Sequence, residues 1–373
     1  QGLYRIAGTD QKERIPRSYS TQMQVMINTL NDIRTSDKQI SGTHGIGVLM
    51  ANSLMFQRFP DHNGYDDPQF SSFYGQTLPL LKRGIPVELV HMENTPFKDT
   101  FNGLQVLVMS YSNMKPMKSE YHNYLADWVK KGGTLVYCGE DVDPYQTVLE
   151  WWNTEGNAYK APSEHLFEAM GLSRNPGDGT YRFGKGTVIV MREDPKHFVL
   201  KGGNDRKYFE TIASAYESKT GKKIEIKNNF MVERGPYTIA AVMDESSSKE
   251  PLKLSGLYID LFDKGLPVLT VKQINPGEQG YLYDLNKVSG KVKAKILCGA
   301  SRIYDEKVGK QSYSFVAKSP LHTTNVSRVL LPRKPEKVLV NGKAEQPEWD
   351  ESSKTLLLSF ENDPAGVNVS IEW

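Results

Sequence analysis

The chain has 373 residues, 46 of them Lys or Arg and 44 Asp or Glu, for a net charge of +2. So even a balance supplies no electrostatic drive toward nucleic acid or an anionic membrane, and neither is an expected partner. A hydrophobic fraction of 38% suits a globular protein, and no apolar run approaches the roughly 20 residues that would span a bilayer.

The size predicts two or three domains. The chain starts at Gln1, not Met, with nothing like a signal peptide after it. The expectation is therefore a piece of a longer protein. Residues 1–43 read as a polar, basic connector ending in one amphipathic helix, at about residues 19–34. The only two cysteines, Cys138 and Cys298, exclude a disulfide framework. That count suits the cytosol and a Cys-poor periplasmic protein alike; the reading leans to a periplasmic or secreted bacterial setting.

From residue 44 to 222, short apolar runs alternate with segments of helical period. Residues 45–51 (GIGVLMA) have strand length, and 70–83 follow as a helix with Phe73, Leu78, Leu80 and Leu81 apolar. Strands are predicted again at 86–91 and 104–110. Residues 118–131 form a helix with Tyr121, Leu125, Trp128 and Val129 on one face, closed by Gly132-Gly133. Strands at 134–138 (TLVYC) and 186–191 (GTVIVM) and a helix at 205–218 complete the set. Strands apolar on both faces and separated by helices predict an open parallel sheet of flavodoxin-like type.

After residue 222 the pattern changes to alternating strand-like segments, among them 224–226, 237–243, 253–258, 266–272 and 279–285. Turn signals at Pro276-Gly277 and Asn341-Gly342 separate them. Residues 223–373 are thus predicted to form one or two antiparallel β-sandwiches, with a break near residue 300.

The run 103–139 (GLQVLVMSYSNMKPMKSEYHNYLADWVKKGGTLVYCG), with GIGVLMA before it and GKG at 184–186, resembles the class I glutamine-amidotransferase-like domain of family 42 β-galactosidases, their trimerisation domain. The ending from residue 338 (VLVNGK, EWD, TLLLSF) resembles the C-terminal β-sandwich of glycan-processing enzymes. The resemblance implies a barrel domain, absent from these residues, that carries the catalytic acids. It also implies a role in oligomer assembly, in shaping a neighbouring active site or in contacting glycan.

Active amidotransferases place a Cys nucleophile on a sharp strand-to-helix turn, with a His to generate the thiolate. Cys138 falls close to that position. Its flanks, Tyr137 and Glu140, are large where the strained turn admits small residues. No His-X-Glu follows: His165 precedes Leu166, Phe167 and Glu168. Cys138 is expected to be a packing residue; the enzyme alternative would use it or the loop at residues 140–143.

Glu140, Asp141 and Asp143 follow the same strand, at the end of the sheet where open α/β folds bind ligands. They are expected to form a solvated acidic loop, with a metal or sugar contact as the functional alternative. Tyr145, Trp151 and Trp152 come next and would suit a sugar if exposed, though Val148, Leu149 and Trp152 also fit helical core spacing. The polar loop 61–67 (DHNGYDD), with His62, is a further candidate lining. No cofactor is expected, since the glycines at 177–179 and 202–203 fit neither a Walker loop nor a dinucleotide fingerprint. The preferred reading is a non-catalytic portion of a larger carbohydrate-active protein, whose partners are a glycan or small sugar and further copies of the chain. The alternatives are a hydrolase with a degenerate site at Cys138 and a glycan-binding protein.

Overall fold

The computed structural model describes residues 17–33, 38–55, 70–288 and 294–373; the loop 61–67 lies outside them. Two compact units emerge: residues 41–230 with 245–248, and residues 1–40 with 231–244 and 249–373. The first is α/β and the second β-rich.

Helix α1 (Arg17–Ile33) and strand β1 (Lys38–Ile40) belong to the β-rich unit. The α/β unit then runs β2 (Ile46–Met50), α2 (Gly75–Leu81), β3 (Glu88–His91), β4 (Val106–Met109), α3 (Tyr121–Lys130) and β5 (Thr134–Cys138). It continues with α4 (Pro162–Ala169), β6 (Gly179–Phe183), β7 (Gly186–Met191), α5 (His197–Leu200) and α6 (Asn204–Thr220). Its sheet has the order β3-β2-β4-β5-β7-β6, parallel except for the antiparallel edge strand β6. Counted among themselves, the parallel strands run 2-1-3-4-5, the flavodoxin-like order.

The continuous apolar runs produce this arrangement because side chains alternate between the two faces of a strand. Leu107, Met109, Leu135 and Tyr137 face one side and pack with Leu125 and Val129 of α3 and Leu166 and Phe167 of α4. Val106, Val108, Val136 and Cys138 face the other and pack with Tyr208, Ile212 and Ala215 of α6. Each such aliphatic side chain stabilises the unit by about 1.5–3 kcal/mol on full burial.

The end of α3 shows how local sequence sets a junction. Gly132 adopts φ 124°, its N–H bonds the Val129 carbonyl and the Gly133 N–H bonds that of Trp128, the paired bonds of a Schellman cap. Gly186, at the start of β7, then passes so close that a Cβ there would lie 1.9 Å from the Val129 oxygen.

Three local expectations are corrected. The helix expected at 70–83 opens as a π-turn, Phe70–Tyr74, before α2. Residues 224–226 form no strand. No neighbouring strand meets them, and the backbone amides of Glu225 and Lys227 bond instead to Thr43 Oγ1 and the Arg83 carbonyl. The glycine pair at 177–179, read in sequence as a turn, ends where Gly179 already begins β6.

The β-rich unit continues with β8 (Asn229–Arg234), β9 (Tyr237–Val242), β10 (Leu252–Asp260), β11 (Val268–Ile274) and β12 (Gln279–Asp284). Next come β13 (Lys295–Gly299), β14 (Arg302–Val308), β15 (Ser312–Lys318), β16 (Thr324–Leu330) and β17 (Lys337–Val340). The last are β18 (Lys343–Ala344), β19 (Glu348–Asp350), β20 (Thr355–Glu361) and β21 (Val367–Glu372). One sheet has the order β1-β8-β9-β12-β10-β11, and two others, β13-β16-β20-β19 and β14-β15-β21-β17-β18, face each other as a sandwich. Tyr313, Phe315, Val369 and Ile371 of the five-stranded sheet meet Val329, Leu356 and Leu358 of the four-stranded one. Asn341 and Gly342, at φ 47° and 78°, form the two-residue turn between β17 and β18 that a type I′ hairpin requires. The fold class is therefore α/β plus antiparallel all-β.

Candidate functional site

In a sheet of this order, ligands bind beyond the carboxyl ends of the strands, where the strand order reverses. Here that point lies between β2 and β4. The segment after β4 turns back over it. The Ala51 N–H meets Met114 Sδ at 3.0 Å, Ser53 Oγ donates to the Lys115 carbonyl at 2.6 Å, and the Lys115 N–H bonds back to Ser53 Oγ at 3.0 Å. Met114 is fully buried and Lys115 nearly so. Among the described residues, Met114 and Lys115 thus lie buried against the segment that follows β2.

Lys115 carries its ammonium into this interior, where Nζ lies 2.6 Å from Asp143 Oδ2 and 2.5 Å from the Tyr111 carbonyl. Burial lowers the lysine pKa, and Asp143 opposes that shift. Asp143 also accepts from Gln146 Nε2 at 2.9 Å and from the Tyr145 N–H at 3.0 Å, so its oxygens are satisfied as a buried charge demands.

Asp141 sits in a left-handed turn with φ 60°. It accepts from the Tyr137 hydroxyl, from Ser163 Oγ at 2.7 Å and from Arg192 Nη1 at 2.6 Å. The Arg192 guanidinium reaches this place from the end of β7, lying 5.2 Å over the Phe167 ring, with Nε bonded to the Pro176 carbonyl at 2.9 Å.

A third group lies between α3 and α4. The Tyr111 hydroxyl meets His122 Nε2 at 2.6 Å, and His122 Nδ1 meets His165 Nδ1 at 2.8 Å. The indole of Trp151 stands edge-on to both imidazoles, with Nε1 donating to the Pro116 carbonyl at 2.8 Å. Burial holds the His122 pKa well below its ordinary value, and the His165 imidazole adds to that shift. Burial lowers His165 as well. Both shifts favour the neutral imidazole, and one ring then donates to the other.

The expected site residues are thus brought to one edge of the sheet, but not as an open site. The solvated acidic loop is corrected: only Glu140 is exposed, while Asp141 and Asp143 are sheltered and paired with cations. The sugar-stacking alternative needed exposed rings, and these rings are packed instead. Tyr145 and Trp152 are buried, and Trp151 is half-buried against the histidines. Val148 and Leu149, expected in a core, are exposed. Among the described residues no cluster of three His, Cys, Asp or Glu is arranged to hold a metal ion.

Cys138 ends β5 and is fully buried among Val136, Phe198 and Tyr208. Burial pushes its thiol far up, and the Glu193 and Asp178 carboxylates push it further. A thiolate nucleophile needs the opposite field, a nearby cation or imidazole. Among the described residues no histidine hydrogen-bonds to it.

The residues that organise this edge and that sequence reasoning missed are Tyr111, Lys115, His122, Ser163 and Arg192. One signal was available. His122 shares its helix face with Leu125, Ala126 and Val129, all buried, so it is a polar residue on an apolar stripe.

No protein-family model matches the sequence, and no curated protein matches it. Solved structures do. A β-galactosidase from Bacillus circulans sp. alkalophilus aligns with 70% of this chain and 43% of its own, at 12% identity and a TM-score of 0.42. A β-galactosidase from the psychrophilic Marinomonas ef1 aligns with 70% of this chain and 41% of its own, at 10% identity and a TM-score of 0.37. A rhamnosidase from Novosphingobium sp. PP1Y aligns with 93% of this chain and 36% of its own, at 11% identity and a TM-score of 0.34. The chain thus spans about two fifths of the length of the two β-galactosidases. Likenesses at these identities and TM-scores say nothing about activity.

Proposed function

We propose that this chain is a non-catalytic, accessory portion of a larger carbohydrate-active protein, and that its α/β unit serves assembly. The observation that carries this reading is the carboxyl edge of the sheet. Met114 and Lys115 are buried after β4, Lys115 is paired with the buried Asp143 after β5, and burial and nearby carboxylates favour the protonated thiol of Cys138. The resemblance of residues 103–139 to the trimerisation domain of family 42 β-galactosidases supports the same reading, as does the flavodoxin-like strand order.

Beside the exposed Glu140, this edge also presents apolar side chains to solvent. Val142 is 71% exposed, Leu149 79% and Met117 53%. Leu149 lies two residues from Trp151, whose indole bonds to Pro116, the neighbour of Met117. Large exposed apolar side chains gathered on one edge mark an interaction surface. The partner assigned is a further copy of the chain.

Sedimentation of the intact chain at micromolar concentration tests this reading. Self-association that Leu149→Glu or Val142→Glu abolishes, with an unchanged circular dichroism spectrum, is the expected result. A wild-type monomer, or association indifferent to both changes, would overturn it.

A further inference from the structure

Helix α1 is apolar on two opposite faces. Thr21, Val25, Thr29 and Ile33 are buried. Polar bonds fix that side: Thr21 Oγ1 donates to the Thr324 carbonyl at 2.8 Å, and Asn28 Nδ2 to the Gly299 and Ser301 carbonyls at 2.8 and 3.0 Å. On the other side Tyr19, Met23, Ile27 and Leu30 are all exposed. Their spacing of four, four and three residues is that of a helix-packing seam, about 16 Å long at 1.5 Å per residue.

Tyr19, Met23 and Ile27 of this outer face form one wall of a groove of about 1170 Å³. The opposite wall carries Tyr304, Pro320, Leu321 and Pro364. The charged lining is of one sign: Arg302 and Lys318, with His322 beside them and no carboxylate. Among the described residues neither Arg302 nor Lys318 has an ion-pair partner; Lys318 lies 5.3 Å over the Tyr304 ring.

We propose that this groove is a docking site for an acidic, amphipathic helical segment of another polypeptide. Aliphatic, methionine and proline walls along a helix seam suit a partner helix laid into a groove. The unpaired cations at the rim select its charge and disfavour partners of like sign. That argues against the two nearest alternatives. Residues 1–16, which lead into α1, carry three cations and two carboxylates. A second copy of the groove would set Arg302 and Lys318 against their own kind.

The test is selection of a displayed random-peptide library on the intact chain, followed by fluorescence anisotropy with the enriched peptides. The expected result is enrichment of peptides with apolar residues at i, i+3 or i+4 and Asp or Glu beside them. Their binding should weaken at least tenfold in Ile27→Glu and in Arg302→Glu/Lys318→Glu, which change the exposed Ile27 and Arg302 and the half-buried Lys318 and should keep the wild-type melting temperature. Three results would overturn the proposal: no enrichment or enrichment of basic peptides, binding indifferent to these variants, or dextran sulfate oligomers binding the groove in place of peptide. Self-association of the chain abolished by Ile27→Glu would overturn it as well, by making a second copy the occupant.

Discussion

The ammonium of Lys115 and the carboxylate of Asp143 meet at 2.6 Å with side chains only 5% and 1% exposed. They are 28 residues apart, one after β4 and the other after β5. A pair buried this deeply adds little net stability, yet removing one partner strands the other charge in the interior. Lys115→Met should therefore cost about 3–5 kcal/mol, read as a lower urea midpoint. Adding Asp143→Asn to it should recover part of the loss, because no carboxylate is then left uncompensated.

The histidine pair predicts acid sensitivity. The pKa values of His122 and His165 are lowered in the folded chain, chiefly by burial. Below about pH 6.5, the value of a free imidazole, the unfolded chain binds protons that the folded chain does not. Stability is then full above that pH and falls as the pH drops, by about 1.4 kcal/mol per pH unit for the fully buried His122. A melting temperature measured from pH 7.5 to pH 5 should decline over that window. His122→Gln should flatten the decline while lowering the starting value.

Arg192 ties the end of β7 to the loop after β5, and its reach depends on the guanidinium. Nη1 holds Asp141 while Nε holds the Pro176 carbonyl, and the planar group lies over Phe167. An ammonium cannot make both bonds and the ring contact together. Arg192→Lys should cost about 1–3 kcal/mol in denaturant unfolding, whereas substitution of the exposed Glu140 by Gln should change stability by less than about 0.5 kcal/mol.

The fold of the α/β unit was legible because its signals are local. Residues 128–138 (WVKKGGTLVYC) carry a helix end, its glycine cap and a fully apolar strand in one unbroken stretch, and each became what its chemistry favours. The strand at 224–226 failed because strand length and alternation do not supply a neighbour to pair with. The site was less legible. Asp141 and Asp143 follow β5 in sequence, but their shelter depends on residues 22 to 51 positions away, such as Ser163, Lys115 and Arg192. Those partners arrive only when the strand ends are in register. Acidity in sequence reads as solvation; beside the buried Lys115 and the half-buried Arg192 it becomes structure.

Cys138 is buried at the end of the strand that would carry chemistry in an active relative of this fold. Alkylation of the native chain by iodoacetamide at neutral pH, with peptide mapping to separate Cys138 from Cys298, tests directly whether it is inert. Both thiols are buried, Cys138 pushed far up and Cys298 to about 12, by burial first in each case. The account predicts that neither reacts until denaturant is added, whereupon both do. Rapid, stoichiometric alkylation of Cys138 in the folded chain would contradict it.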